Sequence, residues 1–120
     1  MGIINHNAII ATTWDNKEIK RLKKWIGKLE RNDQFHFILG QAFTNSYQTI
    51  VLVPDGSKEG WDESERWDNI REKFIKELDK GAYDDGSNSW DYVEIGFGEY
   101  GEKILKGNSK NCYNENDYAI

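Results

Sequence analysis

The chain has one cysteine, Cys112, one proline, Pro54, and no uninterrupted apolar run longer than four residues. A lone cysteine excludes an internal disulfide and a cysteine-based metal knuckle, and it fits a reducing cytoplasm. Such short apolar runs exclude a membrane-spanning helix, and the first residues have no apolar block of the signal-peptide kind. Metal-binding spacing is missing around His6 and His36, and no serine sits in a nucleophile motif. The acids Asp55, Glu59, Asp62, Asp84, Asp85 and Asp91 lack EF-hand spacing and read as solvated turn and helix-start carboxylates. Neither a metal nor a cofactor is expected, and no motif announces an enzyme.

What the chain does have is rings and an uneven charge. Aromatics make up 13% of its 120 residues, including five tryptophans. One modest core built on a few large rings follows, in a single domain spanning residues 1–120. The net charge of −5 divides sharply. Residues 1–31 hold seven Lys/Arg against three Asp/Glu, and the remainder holds nine against eighteen. An acidic remainder argues against wrapping bulk nucleic acid, because phosphate neutralisation needs a basic surface.

The apolar pattern predicts six elements. AIIATTW reads as a buried strand. Asp15 followed by Glu18 resembles a capping box, opening a helix over 16–30 with Ile19, Leu22, Ile26 and Leu29 on its apolar stripe. FHFILGQAF and YQTIVLVP read as two strands joined through Asn45-Ser46. A second helix runs from Trp61 or Asp62 to Lys80, with Trp67, Ile70, Phe74 and Leu78 inward and Gly81 as its C-terminal stop. WDYVEIGF predicts a last strand with Val93, Ile95 and Phe97 alternating and the first two of these buried. The segment from 99 to 120 reads as a polar, loosely ordered tail, in which Lys103 to Lys106 could form an edge strand. The order βαββαβ predicts an α+β, ferredoxin-like fold: a four-stranded antiparallel sheet, spatial order 4-1-3-2, with two helices on one face.

In that topology PDGSKEGW, Pro54 to Trp61, lies on the same rim as His6 and the glycine-rich end of the last strand. Two readings compete for it. A Gly56-Ser57 loop entering a helix can aim N–H groups at an anion, with Lys58 as a point charge and Trp61 as a stacking ring. Alternatively Pro54-Asp55-Gly56 is a turn and Ser57 or Asp62 a cap. The basic polar face of the first helix (Lys17, Lys20, Arg21, Lys24, Lys28) suits an acidic partner, or is simply solvated.

NHNAIIATTWD, YQTIVLVPDGSKEGWDESERWDNIREKFI and DGSNSWDYVEIGFGEYG together resemble a family of small phage-encoded proteins. The resemblance spans residues 5 to about 101 and singles out His6, Ser64, Asp68, Arg71 and Glu94. Glu72 stands where the pattern has a second Arg, which weakens a two-Arg phosphate clamp. The resemblance implies an anti-defence accessory factor of the host cytoplasm, similar to anti-Thoeris nucleotide-signal sponges. It would be a homo-oligomer that binds a small nucleotide-like anion through His6, Ser57, Lys58, Trp61, Ser64 and Arg71 without catalysis. A protein–protein inhibitor of a host defence protein and a hydrolase of a nucleotide signal are the alternatives.

Overall fold

The computed structural model describes residues 4–41, 45–57 and 60–108. Lys58 and Glu59 of PDGSKEGW, and the tail from 109, lie outside the described residues. In chain order the elements are β1 (Asn5–Thr13), α1 (Asn16–Ile26), α2 (Arg31–Gln34), β2 (Phe37–Gln41), β3 (Gln48–Leu52), α3 (Asp62–Asp79), β4 (Trp90–Gly98) and β5 (Lys103–Gly107). They form an α+β fold around one antiparallel sheet of order β2-β3-β1-β4-β5. The expected order of the first four strands is present, but the sheet has five strands rather than four. Residues 103–107, placed at the start of the tail, pair with β4 across a bulge at Glu94/Ile95.

β1 is the central strand. Its register sets Ile9 between Leu52 and Glu94, and Ala11 between Ile50 and Tyr92. Strand side chains alternate between faces, so these residues share one face, and it is the face the helices cover. Ile9, Ala11, Ile50, Leu52, Trp90 and Tyr92 cluster there with Ile19 and Leu22 of α1 and with Trp67, Ile70, Phe74, Ile75 and Leu78 of α3. Trp25 stacks on Phe74 with ring centroids 6.0 Å apart, and Phe37 meets Phe74 edge-on at 5.1 Å. A few large rings thus fill the space between two helices and a sheet, as the composition predicts.

Three local expectations are corrected. The first helix ends at Ile26, not Glu30, and a four-residue helix follows; the Gln34 side-chain amide donates to the carbonyls of Gly27 (3.3 Å) and Leu29 (2.9 Å) and so holds the turn between them. Asp15 does cap α1, accepting from the Lys17 N–H at 3.0 Å. Glu18, however, does not close a capping box. Its carboxylate accepts from Arg21 (Nη2 2.8 Å, Nε 2.9 Å) and from the Trp90 indole N–H (3.0 Å), tying α1 to β4. Gly81 is absent from the left-handed residues that would mark a glycine cap. It is glycine because a Cβ there would collide with the Glu18 carboxylate.

The largest correction concerns β4. Trp90, Tyr92 and Glu94 point to the helices, while Val93 and Ile95, expected in the core, lie with Phe97 on the opposite face and are only half-buried or exposed. A one-residue change of register exchanges the two faces of a strand completely.

Phe74 is fully buried and touches rings from α1 and β2. Phe74→Ala should lower stability by about 3–5 kcal/mol, read from chemical denaturation. A variant that unfolds at the wild-type midpoint would show that these ring contacts do not hold the helices to the sheet.

Candidate functional site

The PDGSKEGW loop forms as a turn. Gly56 has φ +78, a conformation that disfavours residues with a Cβ. The Asp55 carboxylate accepts from the Ser57 N–H (3.3 Å), from the Ser57 hydroxyl in a very short contact, and from Arg71 Nη1 at 3.0 Å. Both donors of Ser57 and one of Arg71 are therefore already given to a carboxylate of the same loop. Trp61 is exposed and occupies the N-cap position of α3 without capping it through its side chain; Ser64 is half-buried on the first turns of that helix.

Arg71 is the centre of this cluster. Its side chain is 5% exposed. Nη2 donates to Asp68 at 2.5 Å, and Nε lies 4.0 Å from Glu94. A buried guanidinium needs such compensation, because an unpaired charge in the interior is strongly destabilising. Glu94 is itself buried, opposite Lys106 of β5. Burial pushes its pKa up, with Arg71 and Lys106 acting against the shift. Burial also acts to raise Asp55, but the hydrogen bonds from Ser57 and Arg71 outweigh it and hold that carboxyl below its ordinary value.

The structure brings Ser57 and Arg71 together through Asp55, with Asp68 and Glu94 beside them. His6 does not join them. It alternates onto the sheet face away from the helices, where its ring lies 5.2 Å from Phe97. Lys58 lies outside the described residues. The expected constellation thus divides between two faces of the sheet, and its arginine is neutralised from within.

A groove not anticipated from the sequence lies between the α1–α2 connection and α3, with a volume of about 600 Å³. Trp25, Lys28 and Asp33 line it from one side; Asp62, Glu65, Arg66, Asn69 and Lys73 line it from α3. Arg66 is held by Asp33 at 2.5 Å and lies over the Trp67 ring at 5.4 Å. The ion pairs of α1 and α3 engage Arg21, Arg66, Arg71, Lys76 and Lys80 and leave Lys28 and Lys73 exposed to solvent. Asp62 and Lys73 are eleven positions apart on one helix, about 16 Å along its axis. The groove is therefore polarised along α3, from the acids Asp62 and Glu65 to Lys73, while Trp25, Lys28 and the Arg66-paired Glu30 line it from the other side. Spacing of this kind on two separate elements has no linear motif.

No protein-family model, no curated protein and no solved structure matches this chain. Among the described residues, no group of three or more His, Cys, Asp or Glu is placed to hold a metal ion, and no helix is long and apolar enough to cross a membrane.

The two buried carboxylates carry opposite pH signatures. Glu94 has a raised folded pKa, so its ionisation costs stability above the ordinary glutamate range, and the cost disappears as pH falls below that range. Glu94→Gln should raise Tm at neutral pH and lose that advantage in acid. Asp55 has a lowered folded pKa, so its contribution is present above the ordinary aspartate range and is lost as pH falls through its folded value. Asp55→Ala should cost about 3–5 kcal/mol at neutral pH by stripping a buried arginine of a partner, with the deficit narrowing in acid. Melting curves of the three proteins across pH check both; parallel pH profiles would show that folding shifts neither carboxyl's pKa.

Proposed function

We propose that the chain is a non-catalytic binding protein that captures a small nucleotide-like anion in the groove between α1 and α3. The observation that carries this reading is the polarised groove, with Asp62, Glu65 and Lys73 along α3 and Trp25 and Lys28 on the other side. Its volume falls in the range of small-ligand sites, roughly 300–1,000 Å³. A phosphate suits Lys28 and Lys73, a base suits the Trp25 ring, and ribose hydroxyls or an exocyclic amine suit the acceptors of Asp62 and Glu65. This reading moves the ligand site away from Ser57 and Arg71, which bond Asp55, and from His6, which lies on the other face of the sheet. We read the β1–β4 core as a ferredoxin-like unit with β5 added at its edge. With the phage resemblance, the ligand would be a nucleotide-derived immune signal sequestered in the host cytoplasm.

Calorimetric titration with ADP and ADP-ribose tests this. Lys73→Glu and Lys28→Glu should each weaken binding roughly ten- to a hundred-fold, the loss of one charge-assisted contact, with Tm of the free protein unchanged. Heating the complex should return the nucleotide intact, whereas an altered product would mean an enzyme. Absence of binding by wild type, or binding indifferent to both substitutions, would overturn the groove assignment.

A second reading is favoured by Lys17, Lys20 and Lys24, an exposed stripe of α1 outside every ion pair described above. Such a stripe fits the acidic surface of a host protein. Reversing these three charges should leave nucleotide binding intact and abolish anti-defence activity only if inhibition by direct contact is the mechanism.

A further inference from the structure

The face of the sheet opposite the helices is apolar and almost uncharged. Register and alternation place Ile38 of β2, Val51 of β3, Ile10 of β1 and Val93 of β4 in one row across it, with Ala8, Ile95 and Ile104 in the next. Ile38 is 55% exposed, Ile104 71%, Phe97 40% and Ile10 37%. Charged residues (Asp, Glu, Lys, Arg) are 31% of the chain, yet Asp91 is the one of these that alternation puts on this face in β1 to β4, with His6 beside Phe97 at its end. Two-layer α+β domains with a solvated outer face show apolar-in, polar-out alternation. Here AIIA and TIVLV run apolar without alternation, the pattern of strands covered on both sides.

We infer that this face is the interface of a homodimer, in which the sheets of two copies pack against each other. The polar groups on the face make no demand on a partner of other chemistry. The Thr12 and Thr49 hydroxyls bond to each other at 2.8 Å, and His6 lies against Phe97. A face whose one carboxylate, Asp91, stands opposite Thr12 near one end of β4, and whose Thr12 and Thr49 hydroxyls satisfy each other, is compatible with itself across a two-fold axis, where a row of like charges would repel. The size is sufficient as well. Strands about 4.8 Å apart, rising about 3.3 Å per residue, give the five-stranded face a footprint of about 500 Å², so two copies cover about 1,000 Å², the lower bound for a specific interface. The pairing leaves the α1–α3 groove open on the outside of each copy, so it is independent of the ligand reading above.

Light scattering on the full chain after size exclusion tests the inference. The wild type should weigh twice the 14.0 kDa of one chain and dissociate on dilution. Ile10→Glu, at the middle of the face, and Ile38→Glu, toward its β2 edge, should each give a monomer with an unchanged circular-dichroism spectrum. The second variant keeps the test decisive if the first fails to fold. A wild-type monomer at every concentration overturns the proposal, whatever else covers the face. A dimer that survives both substitutions overturns the assignment of the interface to this face.

Discussion

Burial of the Arg71 guanidinium constrains more of this structure than any other single feature. α3 carries it inward together with its own Asp68, and the carboxylates of Asp55 and Glu94 lie on its other sides. β4 supplies Glu94, and the loop after β3 supplies Asp55. An interior cation without such partners would cost several kcal/mol, comparable with the whole stability of a domain this size. Glu94 faces inward, so Tyr92 and Trp90 do too, and Val93, Ile95 and Phe97 are turned out. The loop after β3 and the inward face of β4 thus meet at one side chain.

The same cluster explains what the described part of the glycine-rich loop does for the fold. Its N–H and hydroxyl donors converge as an anion site would require, but Asp55 is the anion they hold. An external phosphate would have to displace a carboxylate already ion-paired to a buried arginine. The proposed groove lies instead where cations are spare. On the helix side Glu18, Glu77 and Asp33 consume Arg21 and Arg66, which leaves lysines at the mouth of the groove and along α1. Exposed, mobile lysines contribute little to folding and are free to meet a ligand.

The molecule therefore presents two unlike surfaces. The helical side is charged, polarised and grooved; the sheet side is flat, apolar and nearly neutral. The sheet between them keeps the two proposed surfaces, one for a small ionic ligand and one for a second copy, apart. Tyr92 shows how tightly the intervening layer is fastened. Its hydroxyl donates to Asp79 at 2.7 Å, and burial, then that acceptor, push its pKa up.

Much of the architecture was legible in the residues. The strands AIIATTW and QTIVL, the helix starting at Asp62, the left-handed Asn45 and Ser46, and the turn at Gly56 all follow from local periodicity and φ preferences, which act over a few residues. The order of the first four strands followed as well, because right-handed crossovers leave few alternatives. What stayed hidden were choices made between elements distant in sequence. WDYVEIGF offers two apolar alternations, Trp90-Tyr92 and Val93-Ile95-Phe97, and local pattern cannot rank them; partners on the helices, Glu18 for the Trp90 indole and Asp79 for the Tyr92 hydroxyl, lie on the side the first one takes. Glu18 reads as a capping residue until Trp90 and Arg21 claim it, and Gly81 reads as a helix stop until Glu18 lies against it. Lys28, Lys73 and Trp25 line one groove only when two helices pack side by side. Local conformation is set by the dihedral freedom of each residue and its near neighbours, whereas the partner of a buried charge is settled by which pairing leaves no charge uncompensated in the assembled interior.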